Sequence, residues 1–232
     1  MSGNRRVPAV QVAGVWLLLD RSGAVYWPET QSLIVADLHF EKASSFARGG
    51  TFLPPYDTLK TLKKLAEAAK RFGAARIVAL GDSFHDRQAG ERVVDEERAA
   101  FSALAARHEF VWVRGNHDPE LPGWVEGLVT EELADAPFLF RHEPQPAPAM
   151  GELAGHLHPV ALVRIKGRRF RRRAFISDGT RLVLPAFGAL TGGLDVLDPA
   201  FQPVFPGPFH AYMIGQQTIV PVKSADLSAE MA

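Results

Sequence analysis

Apolar positions along this chain follow two regimes, which change about midway. In the first half, short apolar runs alternate with amphipathic stretches. Val10–Val12, Val15–Leu19 and Leu33–Ala36 read as strands, and Ser22-Gly23 as a turn between strands. From about Tyr56 to Phe72, Leu59, Leu62, Leu65, Ala66 and Ala69 recur at three and four residues while lysines fill the other face, which predicts a helix. Asp57 suits its N-cap and Gly73 its C-terminal stop. Arg76–Leu80 predicts a buried strand, about Glu91 to Arg107 a second helix, and Phe110–Val113 another strand. In the second half, Phe138–Arg141, Leu153–Ala154, Val160–Ile165, Arg173–Ser177, Arg181–Leu184, Ala211–Ile214 and Gln217–Val222 predict short strands between Pro and Gly, with few helices.

Strands in the first half run into polar residues. Leu33–Ala36 leads to Asp37-Leu38-His39, Ile77–Leu80 to Gly81-Asp82, and Val111–Val113 to Gly115-Asn116-His117-Asp118. Open α/β sheets carry their sites at such strand ends. His142 and Gly155-His156-Leu157-His158 follow in the second half. Read as extended chain, the two-residue spacing of Asp37 and His39 puts both side chains on one face, and His156 and His158 repeat it. Asp82 follows a glycine, where a carboxylate can bridge two cations; Asn116 offers an amide oxygen and His142 an imidazole. Each cluster alone has a plain alternative, a core histidine or a turn. Their order, strand-end placement and number instead point to a hydrolase with two divalent metal ions. Oxygen and nitrogen donors without sulfur suit Mn above all, with Fe or Zn as alternatives, and argue against Ca or a structural zinc.

Composition narrows this reading. The 232 residues suffice for one large domain. Pro144-Gln145-Pro146-Ala147-Pro148 reads as an extended spacer rather than a linker, because the polar clusters continue across it. One domain over residues 1–223 is expected, with a frayed tail over 224–232. The 26 basic and 26 acidic residues cancel, so nucleic-acid contact requires a local patch. The absence of cysteine excludes disulfides and suits a reducing cytoplasm, the expected location. Arg5 and Arg6 ahead of Val10–Leu19 loosely resemble a secretion signal. Gln11 and Gly14 break that run, however, and Asp20-Arg21-Ser22-Gly23 ends it, so a strand and hairpin explain it better. No stretch approaches the roughly 18–20 apolar residues of a membrane span.

One basic run stands out: Lys166, then Arg168, Arg169, Arg171, Arg172 and Arg173. It is either a phosphate-backbone track or a solvated hairpin turning at Gly167.

The ordered motifs Asp37-x-His39, Gly81-Asp82, Gly115-Asn116-His117, His142 and Gly155-His156-x-His158 resemble the calcineurin-like metallophosphoesterases. The resemblance implies a four-layer αββα sandwich of mixed sheets flanked by helices. It implies that Asp37, His39, Asp82 and His158 hold one metal, and that Asp82 bridges to a second held by Asn116, His142 and His156. His117 is then the catalytic histidine, donating a proton to the leaving group after attack by a metal-activated hydroxide. Two departures bear on it. Arg141 stands before His142 where many members have glycine. His85 occupies the place of an orienting aspartate, which leaves Asp86 and Asp118 as candidate partners of His117 and His85 as a candidate substrate contact.

A narrower resemblance rests on Val35–Lys42, Phe52–Thr58, Gly81–Asp86 and Leu184–Gly193. These segments are similar to the ligase-associated DNA damage response endonucleases, bacterial proteins encoded beside a DNA ligase, a helicase and an exonuclease. That likeness implies DNA as substrate, a role in DNA repair and association with those partners. A phosphomonoesterase or nucleotide phosphatase, and a non-catalytic scaffold, are the alternatives on the same fold.

Overall fold

Apolar alternation in the first half builds one mixed sheet. Residues 7–54 and 56–229 are described in this computed structural model; Arg5, Arg6, Pro55 and the end of the tail lie outside them. Strands β1 (Ala9–Val12), β2 (Val15–Leu19), β3 (Val25–Trp27) and β4 (Ser32–Val35) pair antiparallel in succession. Strands β5 (Arg76–Leu80), β6 (Glu109–Val113) and β7 (Leu128–Thr130) extend the sheet from β4 in parallel. Parallel neighbours need crossovers. Helices α1 (Lys42–Arg48) and α2 (Asp57–Phe72) lie between β4 and β5, and α3 (Ala89–Arg92) and α4 (Asp95–Ala105) between β5 and β6.

The strand period of two sorts the core. Ile77, Ala79, Phe110 and Trp112 pack on Leu62, Leu65, Phe101 and Leu104 of α2 and α4. Val78, Leu80, Val111 and Val113 face the other way, onto Phe138, Phe140, Leu153 and Phe175 of a second sheet. These central strands are therefore apolar on both faces.

The second sheet comprises β8 (Leu133–Asp135), β9 (Phe138–Arg141), β10 (Glu152–Ala154), β11 (Pro159–Ile165), β12 (Arg168–Ser177), β13 (Leu182–Val183), β14 (Leu194–Asp195), β15 (His210–Ile214) and β16 (Ile219–Lys223). It is also mixed, in the order β14-β11-β12-β13-β10-β9-β8, with β15 joining β12 to β16. The two mixed sheets and the helices on the first agree with the metallophosphoesterase fold. The outer face of the second is covered by Val196, Phe201, Val204, Phe205 and Phe209, a segment whose regular element is a single 3-10 turn.

Several elements differ from the sequence reading for identifiable reasons. The helix expected over 91–107 breaks at Val93 and Val94, both extended. Acidic Asp95, Glu96 and Glu97 restart it, with the Val94 N–H donating to Glu97 Oε2 at 3.2 Å. Asp57 does not cap its own helix, whose N-cap is Tyr56. Its carboxylate instead accepts the backbone N–H groups of Lys42 and Ala43 at 3.0 and 3.2 Å, which caps α1. Helix α1 itself carries no apolar period and was missed. Gly73 ends α2 in the left-handed region as expected. Beyond Lys223, where fraying was expected, Ser224–Asp226 form a 3-10 turn and the Ser228 N–H bonds the Leu162 carbonyl at 2.8 Å. No described helix is long and apolar enough to cross a membrane.

Candidate metal centre

Because β4, β5 and β6 are parallel, their C-terminal ends deliver three polar loops to one edge of the first sheet. The end of β9 adds His142, and the turn between β10 and β11 adds His156 and His158. Asp37, His39 and His158 then place ligand atoms within 4.8 Å of one another, and Asp82, His142 and His156 do the same.

The Asp82 carboxylate lies between these clusters. Its Oδ2 is 3.9 Å from His39 Nε2 and its Oδ1 is 3.4 Å from His142 Nε2. His158 Nε2 is 3.2 Å from Asp37 Oδ1, and Asn116 Oδ1 is 2.9 Å from His142 Nε2. All seven residues singled out as ligands thus converge.

The ligand loops are not strands. Asp37, His39, Asp82, His156 and His158 have φ of 54°, 45°, 46°, 67° and 45°. Leu38 is buried between Asp37 and His39, so the Asp-x-His pair meets through left-handed backbone rather than alternation. Such backbone is sparsely populated for non-glycine residues and concentrates at sites that the surrounding fold over-determines. Here the Phe187 and Gly188 N–H groups hold the carbonyls of Ala36 and Asp37 at 2.8 and 3.0 Å. The glycine-rich segment after Pro185 thereby braces the first ligand loop. Gly81, at φ 71°, lets the His142 ring approach to where a Cβ would stand 2.4 Å from it. A Cβ on Gly115 would be 2.1 Å from Asp82 N.

Two histidines of the cluster are held neutral, as ligation requires, whereas His142 must release a proton to a cation. Burial, with the charge of His158, drives His39 down to about 2, and burial also lowers His156. Burial opposes ionisation of Asp82, yet hydrogen bonding and charge from His142 hold its carboxyl well below the usual range. His142 is lifted to about 9, burial being outweighed by its hydrogen bond to Asp82 and the Asp37 and Asp82 charges. Its Nδ1–H is directed at the Leu80 carbonyl, 3.0 Å away, which leaves Nε2 facing the cluster. There Nε2 meets His156 Nδ1 at 3.1 Å, and His39 Nε2 meets His158 Nε2 at 3.4 Å. Facing imidazole nitrogens beside carboxylates, with no thiolate, fit divalent cations of the Mn, Fe or Zn kind.

His117 stands at the exposed side of this cluster. Its Nε2 is 3.8 Å from Asp82 Oδ2, its backbone N–H donates to Asp82 Oδ1 at 2.9 Å, and its Nδ1 meets the His85 carbonyl at 2.9 Å. The partner of the histidine is therefore a main-chain oxygen, and the two carboxylates considered for that role are occupied elsewhere. Asp86 accepts from Arg92 at 2.7 and 3.0 Å and from the Gln88 N–H. Burial opposes its ionisation, but these bonds bring it to about 2. Asp118 is buried and accepts the N–H groups of Phe84 and Gly115 at 2.9 and 3.1 Å. Burial, aided by the Asp82 charge, raises it to about 7. No side-chain motif could have revealed the His85 carbonyl. The His85 ring stacks on His117 at 5.5 Å and 16°, and its Nδ1 is 3.4 Å from His39 Nδ1. Burial and the Lys42 charge lower it to about 4.

The basic run forms the β11–β12 hairpin, with Lys166-Gly167 as its turn at φ 49° and 76°. Arg168, Arg169, Arg171 and Arg172 are exposed, Arg171 also donating to the Gly193 carbonyl at 2.8 Å. Arg173 does not belong with them. It lies where β12 enters its buried half, just before Ala174, and its guanidinium donates to the carbonyls of Ala186 at 2.7 Å and Ser22 at 3.4 Å.

Residues 31–178 match the family model of the calcineurin-like phosphoesterases. The crystal structure of Pseudomonas putida nuclease MPE is similar over 94% of this chain and 100% of that one, at 30% identity and a TM-score of 0.73. YfcE, a phosphoesterase from E. coli, aligns over 84% of this chain and 98% of that one, at 15% identity and a TM-score of 0.42. No curated protein matches the chain. The family match and the assembled ligand set lead to one conclusion: the chain belongs to the calcineurin-like phosphoesterases and is a metal-dependent phosphoester hydrolase.

Proposed function

We propose that the protein is a two-metal phosphodiesterase that cleaves DNA internally, as an endonuclease of bacterial DNA repair. The observation that carries the two-metal reading is Asp82, whose two carboxylate oxygens face the two ligand clusters. Asp37, His39, Asp82 and His158 would hold one ion; Asp82, Asn116, His142 and His156 would hold the other. Divalent ions there would polarise phosphoryl oxygens and lower the pKa of a water between them.

The chain's own residues complete the chemistry. With Nδ1 fixed on the His85 carbonyl, His117 keeps Nε2 turned toward Asp82, where a phosphate held by the two ions would lie. A proton held at Nε2 passes to the leaving oxygen as the P–O bond breaks, a contribution of about 10²–10⁴-fold. Asp82 positions that ring through its bond to the His117 N–H.

A polymeric substrate is supported by access. Asn116 and His117 are exposed, and residues 83–141 are taken up by α3, α4 and β6–β9 rather than by a cap. A nucleic-acid substrate is supported by the likeness to Pseudomonas putida nuclease MPE and by the arginines of the β11–β12 hairpin, and DNA by the resemblance to the ligase-associated endonucleases.

The test is hydrolysis by the Mn-loaded protein of single-stranded, duplex and nicked DNA, beside a small phosphodiester and its monoester, with Asp82→Ala as control. Internal cleavage of DNA and preference for the diester are expected. Turnover of the monoester alone would contradict the reading.

A further inference from the structure

A cavity of about 510 Å³ is lined by three arginines, Arg87, Arg98 and Arg114. It shares two loops with the metal centre. Arg87 follows Asp86 and is two residues from His85, whose carbonyl holds His117. Arg114 and Pro119 flank the Gly115–Asp118 turn, and both line the cavity. Its lining therefore includes residues within a few positions of His85 and His117 on both strand-end loops.

The arginines differ in what they already do. Arg114 Nη1 donates to the Pro119 carbonyl at 3.0 Å and its Nε pairs with Glu131 at 3.4 Å, so it braces the loop after His117. Arg98 lies over the Trp124 ring, 5.3 Å from its centre, and reaches the carbonyls of Val93 and Gly90 at 3.3 and 3.4 Å. Those contacts hold its guanidinium at the wall while leaving the side chain exposed. Arg87 is exposed and makes no hydrogen bond or ion pair among the described residues. Glu91 and Glu120 also line the cavity and balance two of the three charges. A cation without a partner, beside a stacked guanidinium in a concave site, is the chemistry that receives a phosphate. The floor is built closely: a Cβ on Gly90 would stand 2.2 Å from Pro122, so the 119–124 loop can seat directly on α3.

We propose that this cavity is a second phosphate subsite, taking the phosphate next to the scissile one on the leaving-group side of an oligonucleotide. Arg87 and Arg98 make the contacts. The proposal rests on the phosphodiesterase reading and deepens it, since a subsite of this kind explains preference for a polymer over a small diester.

Steady-state kinetics of Mn-loaded wild type, Arg87→Gln and Arg98→Gln on a single-stranded oligonucleotide and on bis(4-nitrophenyl) phosphate test it. The small diester has no second phosphate. Each substitution is expected to raise KM for the oligonucleotide about tenfold more than for the small diester, the loss of one charge-assisted hydrogen bond. Each should also reduce the salt slope of oligonucleotide binding by about 1. Equal effects on both substrates, or none on the oligonucleotide, overturn the subsite while leaving the phosphodiesterase reading intact. Wild-type protein that hydrolyses the small diester but no oligonucleotide overturns the subsite and the polymer reading together.

Discussion

The Nδ1 of His117 lies 2.9 Å from the carbonyl oxygen of His85, and the two rings stack 5.5 Å apart at 16°. A carbonyl accepts but cannot donate, so it fixes a proton on Nδ1 and leaves Nε2 free to take the proton-donor role proposed for it. His117→Ala is expected to retain its metal and to lose about 10²–10⁴-fold in turnover on a diester with a poor leaving group. The loss should shrink for a 4-nitrophenolate leaving group, which needs no proton. Turnover on both esters together with elemental analysis checks this. An undiminished rate on the poor leaving group would remove His117 from its role.

Asp118 is a structural carboxylate beside that histidine. Buried, it satisfies the N–H groups of Phe84 and Gly115, which lie on the two loops that present Asp82 and Asn116. Asp118→Ala leaves both donors unpaired, at a cost of about 1–3 kcal/mol for each group that water cannot reach. Asp118→Asn keeps one acceptor and should recover part of the loss. Urea unfolding of the three proteins measures the order expected: wild type, then Asn, then Ala.

Lys64 gives a pH signature away from the metal ligands. Its Nζ lies 3.8 Å from the centre of the Phe187 ring and donates to the Phe187 carbonyl. Burial, reinforced by the Arg173 charge and opposed by Asp20, pulls its pKa from 10.5 to about 7. Between those values the unfolded chain holds a proton that the folded chain has released. Unfolding then takes up a proton, so the contribution of Lys64 to stability rises with pH from about 7 to about 10.5. Lys64→Met should flatten this rise. Unfolding free energies of both proteins at pH 7 and pH 9 decide it, and a parallel pH dependence in the variant would refute the assignment.

The exposed hairpin arginines should act through charge alone. Arg168→Glu, Arg169→Glu and Arg172→Glu are each expected to weaken DNA binding at low salt and to reduce the slope of log affinity against log salt by about 1. Binding isotherms at several salt concentrations measure the slope. Unchanged slopes would make the hairpin a solvated one.

Much of the site was legible because its chemistry is carried by residue type and order. Asp37, His39, Asp82, Asn116, His142, His156 and His158 were all readable as ligands, and the structure brings all seven together. What was not legible is how the backbone achieves it. The Asp-x-His spacing suggested a strand face, yet Asp37 and His39 both have positive φ, a conformation that no pattern of apolar residues encodes. The partner of His117 was sought among carboxylates, whereas the structure supplies a carbonyl, and every residue has one. The fold was legible where burial follows the apolar residues, in the helical period of α2 and the continuous apolar run of β5. It was not where tertiary contacts decide, as when Asp57 caps α1 across the loop rather than its own helix. The arginine run was visible, but the burial of Arg173 follows from where β12 enters the core, which charge composition does not reveal.

Titration of Mn into metal-free protein, with bound metal and phosphodiester hydrolysis followed together, tests the central claim most directly. The account predicts that activity rises with occupancy of the second site, reaches its maximum at two ions per chain, and is lost in Asp82→Ala. Full activity at one ion per chain, or without added metal, would contradict it.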